Sequence, residues 1–344
     1  MKQNYLSALG TALACFTAIA VSAAEGPYHF LKEIPIGTDG GWDYLSVDSV
    51  ARRLYVSHGT RVVVIDLDKE SVVGEITNTP GVHGLAPAPE LGRGMTSNGR
   101  ENKAGIVDLK TLQTISKVET GANPDGMLYE PGRQEFYTFN GRGQSATVIG
   151  AKSATVVATV PLGGRPEFAA ADPGAGRVYD NLEDKSEVVA IDTKTHAVVN
   201  RWPIAPGEEA SGLAIDTANH RLFIGCHNNL MVMMDSSSGK VAGTVPIGQG
   251  VDANAFDPGT RFAFASCGDG TVTIAHEDSP DKLTVVQTLA TQRGSRTMTL
   301  DPKTHKIYLA AGEFEAPSEG QRRGRMVAGS FKILVYGMDT PAAP

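Results

Sequence analysis

The stretches LAID at residues 213–216, RLFI at 221–224 and LMVMMD at 230–235 decide the fold of this chain. Each is a short run of aliphatic or aromatic residues, and turn-forming residues such as Asn219, Gly225 and Asn228 lie between the runs. Runs of this kind, separated by turn residues, predict β-strands joined by tight turns. We therefore expect three consecutive strands here, the first ending at Asp216 and the second beginning at Arg221.

The same pattern recurs along the chain at a nearly constant interval. A basic residue marks the second strand of each unit, and successive marks are 40, 40, 44, 44, 40 and 45 residues apart. Units of this length fit one four-stranded blade each of a β-propeller. The sequence therefore predicts an all-β, seven-bladed β-propeller. The marking residues are Arg53, Arg93, Arg133, Arg177, Arg221, Arg261 and Lys306.

The two ends of the repeat region predict how the ring closes. Fourth strands finish in a tag such as VPIG at 245–248, and a related tag, IPIG, stands at 34–37 before any first strand. The last unit stops after FKILVY at 331–336, a third strand with no fourth behind it. We therefore expect residues 29–36 to supply the outer strand of the last blade, which leaves no open sheet edge.

Residues 1–24 differ from the repeats. They contain one charged residue, Lys2, then an apolar stretch over 6–21 and small residues up to Ala24. This pattern is typical of a secretory signal peptide, with cleavage expected after Ala23 or Ala24. We therefore expect a periplasmic or secreted protein with no membrane span once the segment is removed.

The remaining length is assigned to one domain. The repeats fill nearly all of it, so residues 25–340 are predicted to form a single propeller and residues 341–344 a flexible tail. Cys15 leaves a lipoprotein as the less favoured alternative to a cleaved signal, because apolar sequence continues past it. Closed propellers have little free edge to pair, so a monomer is expected.

Charge and motifs limit the partners. The net charge is −7, and loss of Lys2 with the signal would make it −8. No basic stripe runs through the repeats, which argues against nucleic acid as a partner. There is no Cys-x-x-Cys-His motif for covalent haem and no nucleotide-binding glycine motif, and the cofactor question stays open, with a divalent metal as one possibility. The one basic cluster lies in an insertion and consists of Arg322, Arg323 and Arg325.

Two cysteines lie in the repeat region, Cys226 and Cys267, each near the end of a second strand. An oxidising compartment would permit a disulfide between these neighbouring blades. However, the repeat alignment places the two one position out of phase, and side chains alternate between the faces of a strand. Buried free thiols are therefore favoured over a disulfide.

Several of these patterns together resemble a known family. RLYV at 53–56, VVVID at 62–66, the VPIG tags and the signal-like start are similar to YVTN-repeat propellers, specifically the YncE-like periplasmic proteins. The resemblance implies a propeller fold and a periplasmic location, and it implies no particular activity. The chain departs from the pattern at 94–96, where GMT replaces the aromatic strand, and in the long link between the second and third strands of blade seven.

Candidate site residues come from aligning the units on the acidic residue that ends most inner strands. Five positions before it, most units carry a charged or polar residue at the start of the inner strand, and Glu209 lies two residues earlier than that in blade five. Loops joining second to third strands open on the same mouth of the channel and supply an outer ring. The first group is Asp43, His83, Asp125, Glu167, Glu209, Asp252 and Arg296, and the outer ring is His58, His227 and Glu313.

Symmetry turns these equivalent positions into one cluster around the propeller axis. Turns and solvent also favour polar residues at such positions, so each alone is weak evidence for a site. Carboxylates crowded in a narrowing funnel should have raised pKa values unless a cation neutralises them, and Arg296 or a bound metal would do so. We therefore expect a divalent cation, or a cationic or polyhydroxylated small molecule, to bind here.

Two functions are compatible with this mouth. The first is a periplasmic protein that binds a small molecule or a protein partner. The alternative is a metal-assisted hydrolase or lyase, with His83 or His58 as the acid or base. The insertion at 313–329 is either a lid over the mouth or an ornament, because long loops in compact domains are often functional or disordered.

Overall fold

The computed structural model describes residues 26–316 and 324–339, which form seven four-stranded sheets. Every strand pair within them is antiparallel, and the sheets form the blades of a ring, so the all-β, seven-bladed prediction is confirmed. The expected signal peptide, the tail at 341–344 and positions 317–323 of the insertion lie outside the described residues. Within those residues, no helix has both the length and the apolar character needed to cross a membrane.

Each blade is numbered from the inner strand outward. Blade one contains β2 (Leu45–Asp48), β3 (Arg53–His58), β4 (Arg61–Asp66) and β5 (Ser71–Ile76). Blade two contains β6 (Val82–Ala88), β7 (Arg93–Asn98), β8 (Lys103–Asp108) and β9 (Gln113–Glu119). Blade three contains β10 (Pro124–Glu130), β11 (Glu135–Asn140), β12 (Ser145–Gly150) and β13 (Val156–Pro161).

Blades four to seven follow the same order. Blade four contains β14 (Pro166–Asp172), β15 (Arg177–Leu182), β16 (Glu187–Asp192) and β17 (Ala197–Pro203). Blade five contains β18 (Ala210–Asp216), β19 (Arg221–Cys226), β20 (Leu230–Asp235) and β21 (Val241–Pro246). Blade six contains β22 (Val251–Asp257), β23 (Phe262–Cys267), β24 (Thr271–Ser279) and β25 (Lys282–Ala290). Blade seven contains β26 (Met298–Asp301), β27 (Lys306–Ala311), β28 (Lys332–Met338) and β1 (Tyr28–Pro35). Short 3-10 helices span Pro89–Leu91 and Glu183–Lys185.

The last blade is closed by the first strand, as predicted. β1 pairs with β28 antiparallel, from Tyr28 opposite Met338 to Pro35 opposite Lys332. Around the axis, neighbouring inner strands contact one another in sequence, and β26 of blade seven contacts β2 of blade one. The ring therefore has no gap, and the starts of all seven inner strands face one mouth.

The hydrophobic core is divided into layers between neighbouring blades. In the layer between blades four and five, Tyr179 packs with Leu213, Ile224 and Met234, all of them buried. Since both faces of a blade are covered in this way, its second and third strands are buried nearly throughout. Such close-packed layers hold each blade at a fixed angle to the axis and thereby fix where the inner strands begin.

The acid that ends an inner strand holds the turn that follows. Asp48 Oδ1 accepts hydrogen bonds from the backbone N–H groups of Val50, at 3.0 Å, and Ala51, at 2.8 Å. Asp301 does the same with Lys303 and also accepts from Arg52. These acids are therefore structural, as turn chemistry predicts.

Cys226 and Cys267 are both buried free thiols, and burial raises the pKa of each to about 12. The predicted one-position offset between them is wrong, because each is the last residue of a second strand. Arg261 lies in the turn before β23, whereas Arg221 is the first residue of β19, so aligning the two arginines shifted the count. The two thiols remain apart because they belong to different inter-blade layers.

Candidate functional site

Five predicted residues interact electrostatically at the mouth where the inner strands begin. The carboxyl groups of Asp125 and Glu167 each respond to the charges of Asp43 and Asp252, and that of Asp125 also responds to His83. These five side chains come from five different blades, and we call them the mouth cluster. Alignment of the repeat units predicted all five residues.

A β-bulge orients most of these side chains toward the mouth. In four inner strands the pairing register shifts at the site residue, which is His83, Asp125, Glu167 or Asp252. A bulged residue leaves the ladder and its side chain is redirected, which is a recurrent device beside functional sites. The bulges therefore turn an ordinary strand start into a group of side chains directed at one place.

Glycine next to a bulge allows neighbouring inner strands to approach closely. A Cβ atom on Gly84 would lie 2.6 Å from Met127 Sδ and 2.8 Å from Tyr44 Cβ. A Cβ atom on Gly126 would lie 2.5 Å from the carbonyl oxygen of Glu167. Since real Cβ atoms do not approach so closely, larger residues would push the mouth apart.

His83 lies between two carboxylates. Its Nδ1 atom is 2.7 Å from Asp43 Oδ2 and 3.1 Å from Asp125 Oδ1. Burial alone would lower the pKa of His83, but the bond to Asp43 and the charges of Asp125 and Asp43 outweigh it and raise the pKa. His83 therefore links three blades as a shared hydrogen-bond and charge partner.

The carboxyl groups of the cluster hold protons unusually tightly. Burial, followed by the charge of Asp43, raises the pKa of Asp125 to about 7, against the opposing effect of His83. Burial and the charge of Asp125 raise the pKa of Glu167 to about 8. Burial also raises the pKa of Asp252. These directions match the expectation for crowded carboxylates.

Asp252 has its own partners on blade seven. Thr297 Oγ1 donates a hydrogen bond to Asp252 Oδ2 at 2.5 Å, and Arg296 Nε lies 3.5 Å from the same oxygen. Arg296 thus lies where the sequence placed a counter-charge. Its side chain is nevertheless 58% exposed, so it is only loosely engaged.

The structure places the other predicted residues outside the mouth cluster. Glu209 is 67% exposed and lies 3.7 Å from His227, so these two form a rim pair on blade five. Glu313 is exposed and lies 3.8 Å from Lys332. His58 is buried, where its ring stacks on Phe331 and its Nε2 atom lies 3.2 Å from the carbonyl oxygen of Thr38. The expected outer ring is therefore not assembled, and burial makes His58 a packing residue.

Two residues that the sequence analysis did not select belong near the cluster. Tyr44, beside Asp43, crosses from blade one and donates a hydrogen bond from its hydroxyl to the carbonyl of Glu167 at 2.8 Å. Asp180 lies on β15, is fully buried, and neither of its carboxyl oxygens has a hydrogen-bond partner among the described residues. Burial, and then the charge of Glu167, raise its pKa. The sequence signal for Asp180 was an acid inside the apolar pattern RVYDNL at 177–182.

Asp43, His83 and Asp125 have the composition and spacing of a metal site. One ligand atom from each lies within 4.8 Å of the other two. Zinc-type sites hold N and O ligands at about 2.0–2.2 Å, which places tetrahedral neighbours about 3.3 Å apart. The His83 distances of 2.7 and 3.1 Å are close to that value, so a divalent ion would need only small outward shifts.

Comparisons with known proteins bear on the fold alone. Kuenenia stuttgartiensis hydrazine synthase matches over 86% of this chain and 96% of its own, with a TM-score of 0.70 at 15% identity. The structure of U3-55K matches over 91% of this chain and 99% of its own, with a TM-score of 0.74 at 10% identity. No family model and no curated protein matches the chain. At such identities the likeness supports the propeller architecture, and function must be argued from the site.

Proposed function

We propose that this protein is a periplasmic propeller of the YncE-like, YVTN-repeat kind that binds a small molecule or partner protein at its mouth. The sequence patterns at 53–56 and 62–66 and the signal-like residues 1–24 support the family and the location. The mouth cluster supports the site. In this proposal Asp43, His83 and Asp125 hold a divalent cation, or a cationic group of the ligand.

The observation that carries the proposal is the position of His83 between two carboxylates from separate blades. Metal-binding side chains that converge from three rigid blades are preorganised, so few side chains need to become ordered when a cation binds. Asp125, with a pKa of about 7, would release its proton to solvent when a cation binds. Because metal ligands must be deprotonated, cation affinity should increase as the pH rises from 6 to 8.

Calorimetry on the mature, chelator-treated protein tests the proposal directly. Zn²⁺, Mn²⁺ and Ca²⁺ would be titrated separately at pH 6 and pH 8, in buffers with different ionisation enthalpies. We expect one ion per protein, tighter binding at pH 8 and proton release on binding. Replacing Asp43→Asn, His83→Gln and Asp125→Asn together removes all three candidate ligands and should abolish binding while the circular dichroism spectrum stays unchanged.

A matched acid-to-amide control separates the site from general charge. Asp281→Asn removes an acid that is 85% exposed and lies beside Arg221, so cation binding should be unchanged. His83→Gln should weaken binding as much as loss of one metal ligand does. The proposal fails if the triple variant binds the cation as tightly as the unmodified protein.

A second candidate function, a metal-assisted hydrolase or lyase, rests on Glu167. Three N and O ligands with further coordination positions open are typical of catalytic metal sites, where the metal activates water or polarises a carbonyl. Glu167, with a pKa of about 8, keeps its proton at neutral pH and would act as a general acid. As a metal ligand, His83 would no longer be the acid or base.

Metal-loaded protein assayed with ester and phosphoester chromogenic probes distinguishes this candidate from a binding role. Turnover that disappears in Glu167→Gln, with metal stoichiometry retained, would favour the enzyme. Binding of metal without turnover of any probe would favour the binding role.

A further inference from the structure

A cavity lies beside the mouth cluster and shares a wall with it. Its volume is about 560 Å³, within the range of pockets that enclose small organic ligands, roughly 300–1,000 Å³. Arg296 and Thr297 line its inner side, and the same two residues contact Asp252 of the mouth cluster. The remaining walls include Gly40, Gly41, Trp42, Phe314 and Met326.

A column of stacked rings fixes the aromatic wall. Trp42 stacks on Phe331, with ring centroids 5.0 Å apart and planes 27° apart. Phe331 in turn stacks on His58 at 4.2 Å and 10°. Burial lowers the pKa of His58, so its ring is neutral at pH 7 and packs as an uncharged plane. Phe314 lies tilted against Trp42 at 6.1 Å, which places two aromatic rings on the cavity.

The described part of the blade-seven insertion forms the outer wall. Phe314 and Met326 make an antiparallel bridge, flanked by a hydrogen bond from Glu315 N to the Arg325 carbonyl at 2.8 Å. Gly329 N donates to Asp39 Oδ1 at 3.2 Å, which ties the insertion to the segment before β2. These bonds hold Phe314 and Met326 against the cavity.

The charge open to the cavity is positive at its inner side. Arg296 reaches Asp252 only through Nε, and no other bond to its guanidinium exists among residues 26–316 and 324–339. Its two Nη groups remain for a bidentate contact, the geometry in which arginine binds carboxylates best. Asp39, Glu315 and Arg325 also line the cavity and all three are exposed to solvent, and Arg296 is the charged residue at its inner side.

We propose that this cavity binds a planar organic anion, such as an aromatic carboxylate. Its ring packs against Trp42 and Phe314, and its carboxylate pairs with Arg296. The inference rests on the proposed binding role of the mouth and names the chemical class of the ligand. A cation held by the mouth cluster would offset the neighbouring acids and strengthen binding of an anion at the shared wall.

Paired probes that differ only in charge test this proposal. Biphenyl-4-carboxylate and biphenyl-4-methylammonium would be titrated calorimetrically into the mature protein, with and without a divalent cation. Trp42 is one of only two tryptophans, so the Trp202→Phe variant makes its fluorescence a reporter of the cavity. We expect the carboxylate to bind once per protein, to change Trp42 fluorescence, and to bind about tenfold or more tightly than the ammonium.

An arginine pair provides the matched control. Arg296→Gln should weaken carboxylate binding about tenfold, the loss expected for one charge-assisted contact. Arg201→Gln should change it less than twofold, because Arg201 lies on β17, 3.7 Å from Glu187, and does not line the cavity. Equal binding of both probes, no effect of Arg296→Gln, or a silent Trp42 would each overturn the proposal.

The outcome separates this inference from the proposed cation site. Cation binding without carboxylate binding would remove the inference and leave the cation site standing. Carboxylate binding that persists in a chelator, in protein that takes up no cation, would remove the cation site and leave the cavity assignment standing. Should Trp202→Phe disturb the packing of Trp202 on Tyr179, calorimetry on the unmodified tryptophans gives the same answer.

Discussion

Two acids at opposite ends of the inner strands, Asp301 and Asp125, have pKa values shifted in opposite directions. At the final residue of β26, Asp301 would have a raised pKa from burial alone, but hydrogen bonds from Ser49, Arg52 and Thr304 outweigh burial and lower it. At the other end of β10, the pKa of Asp125 is raised to about 7, with burial as the largest cause. The residue types are alike, and the difference lies in the number of donors that surround each carboxylate.

This contrast separates structural acids from candidate site acids. A turn supplies backbone N–H donors to the acid that precedes it, and at Asp301 these and side-chain donors stabilise the ionised carboxylate. Three of the four mouth acids, Asp125, Glu167 and Asp252, lie in bulges outside the ladder, and Asp43 lies just before β2. Buried carboxylates that lack donors destabilise the fold unless a ligand compensates, and that cost is the physical reason to assign them to binding.

Removing the strand that closes the ring should destabilise the whole propeller, and with it both ends of the inner strands. Deleting residues 25–37 removes β1 and leaves the edge of β28 unpaired. We expect the melting temperature to fall by more than about 10 °C, or the protein to aggregate through the open edge. Differential scanning calorimetry and light scattering would measure both effects.

Trimming residues 340–344 is the control for this deletion, because they lie outside the described strands. It should leave the melting temperature within about 1–2 °C of the full chain. Equal melting temperatures for the two truncations would contradict closure by β1.

The strand-ending acids should matter for stability more than any mouth acid. Asp301→Ala removes a fully buried carboxylate and leaves the exposed Asp68 as the one acid paired with the Arg52 guanidinium among the described residues. Breaking a buried pair in this way should lower the free energy of unfolding by about 3–5 kcal/mol in urea denaturation. Asp68→Ala, at the 66% exposed partner, should cost about 1 kcal/mol or less. Similar losses of unfolding free energy for Asp301→Ala and Asp68→Ala would contradict a structural role specific to the strand-ending acid.

The pH dependence of stability should have opposite sign at the two ends. Glu167 has a pKa of about 8 when folded and 4.5 as a free group, so the folded state holds the extra proton between these values. Its contribution is therefore complete below pH 4.5 and is lost as the pH rises through 8. Asp301, with a lowered pKa, stabilises above pH 3.8 and loses its contribution only as the pH falls below that value.

Glu167→Gln sharpens this test. Between pH 5 and pH 8.5 the unmodified protein should lose unfolding free energy on the order of 1–3 kcal/mol, and the variant should lose measurably less. Urea titrations at several pH values in the absence of divalent cation would show the difference. A variant with the same slope as the unmodified protein would contradict the raised pKa of Glu167.

The smallest effect is expected at the blade-five rim. Glu209 and His227 are exposed and lie 3.7 Å apart, and His227 reaches the mouth cluster only through its charge, which acts against the raised pKa of Asp252 among the described residues. Glu209→Gln and His227→Gln should each change cation affinity less than about twofold in the same calorimetric titration. A loss comparable with that of His83→Gln would extend the mouth cluster to this rim.

The fold was predictable because it repeats. A 40–45 residue period, with tags at both ends, predicts the number of blades and their closure without any tertiary information. The position of the mouth cluster follows from the same period, since equivalent positions converge on one axis.

Contacts between units that do not repeat could not be predicted in this way. Whether His58 faces the mouth or stacks on Phe331 depends on the rings that pack around it. The bulges at His83 and Asp125 are each followed by a glycine, but the glycine does not tell which neighbouring side chains the bulge brings together. Asp180 was hidden by its place in an apolar strand, where pattern analysis expects a core residue.

Closure by β1 also determines the order in which the protein can be completed during synthesis. The partner of Tyr28 is Met338, so nearly the whole described chain must leave the ribosome before the first strand can pair. Until then β1 has no sheet to join and blade seven lacks its outer strand. Propellers of this connectivity therefore finish folding late, through the contact of highest sequence separation, and depend on protection of an exposed edge in the meantime.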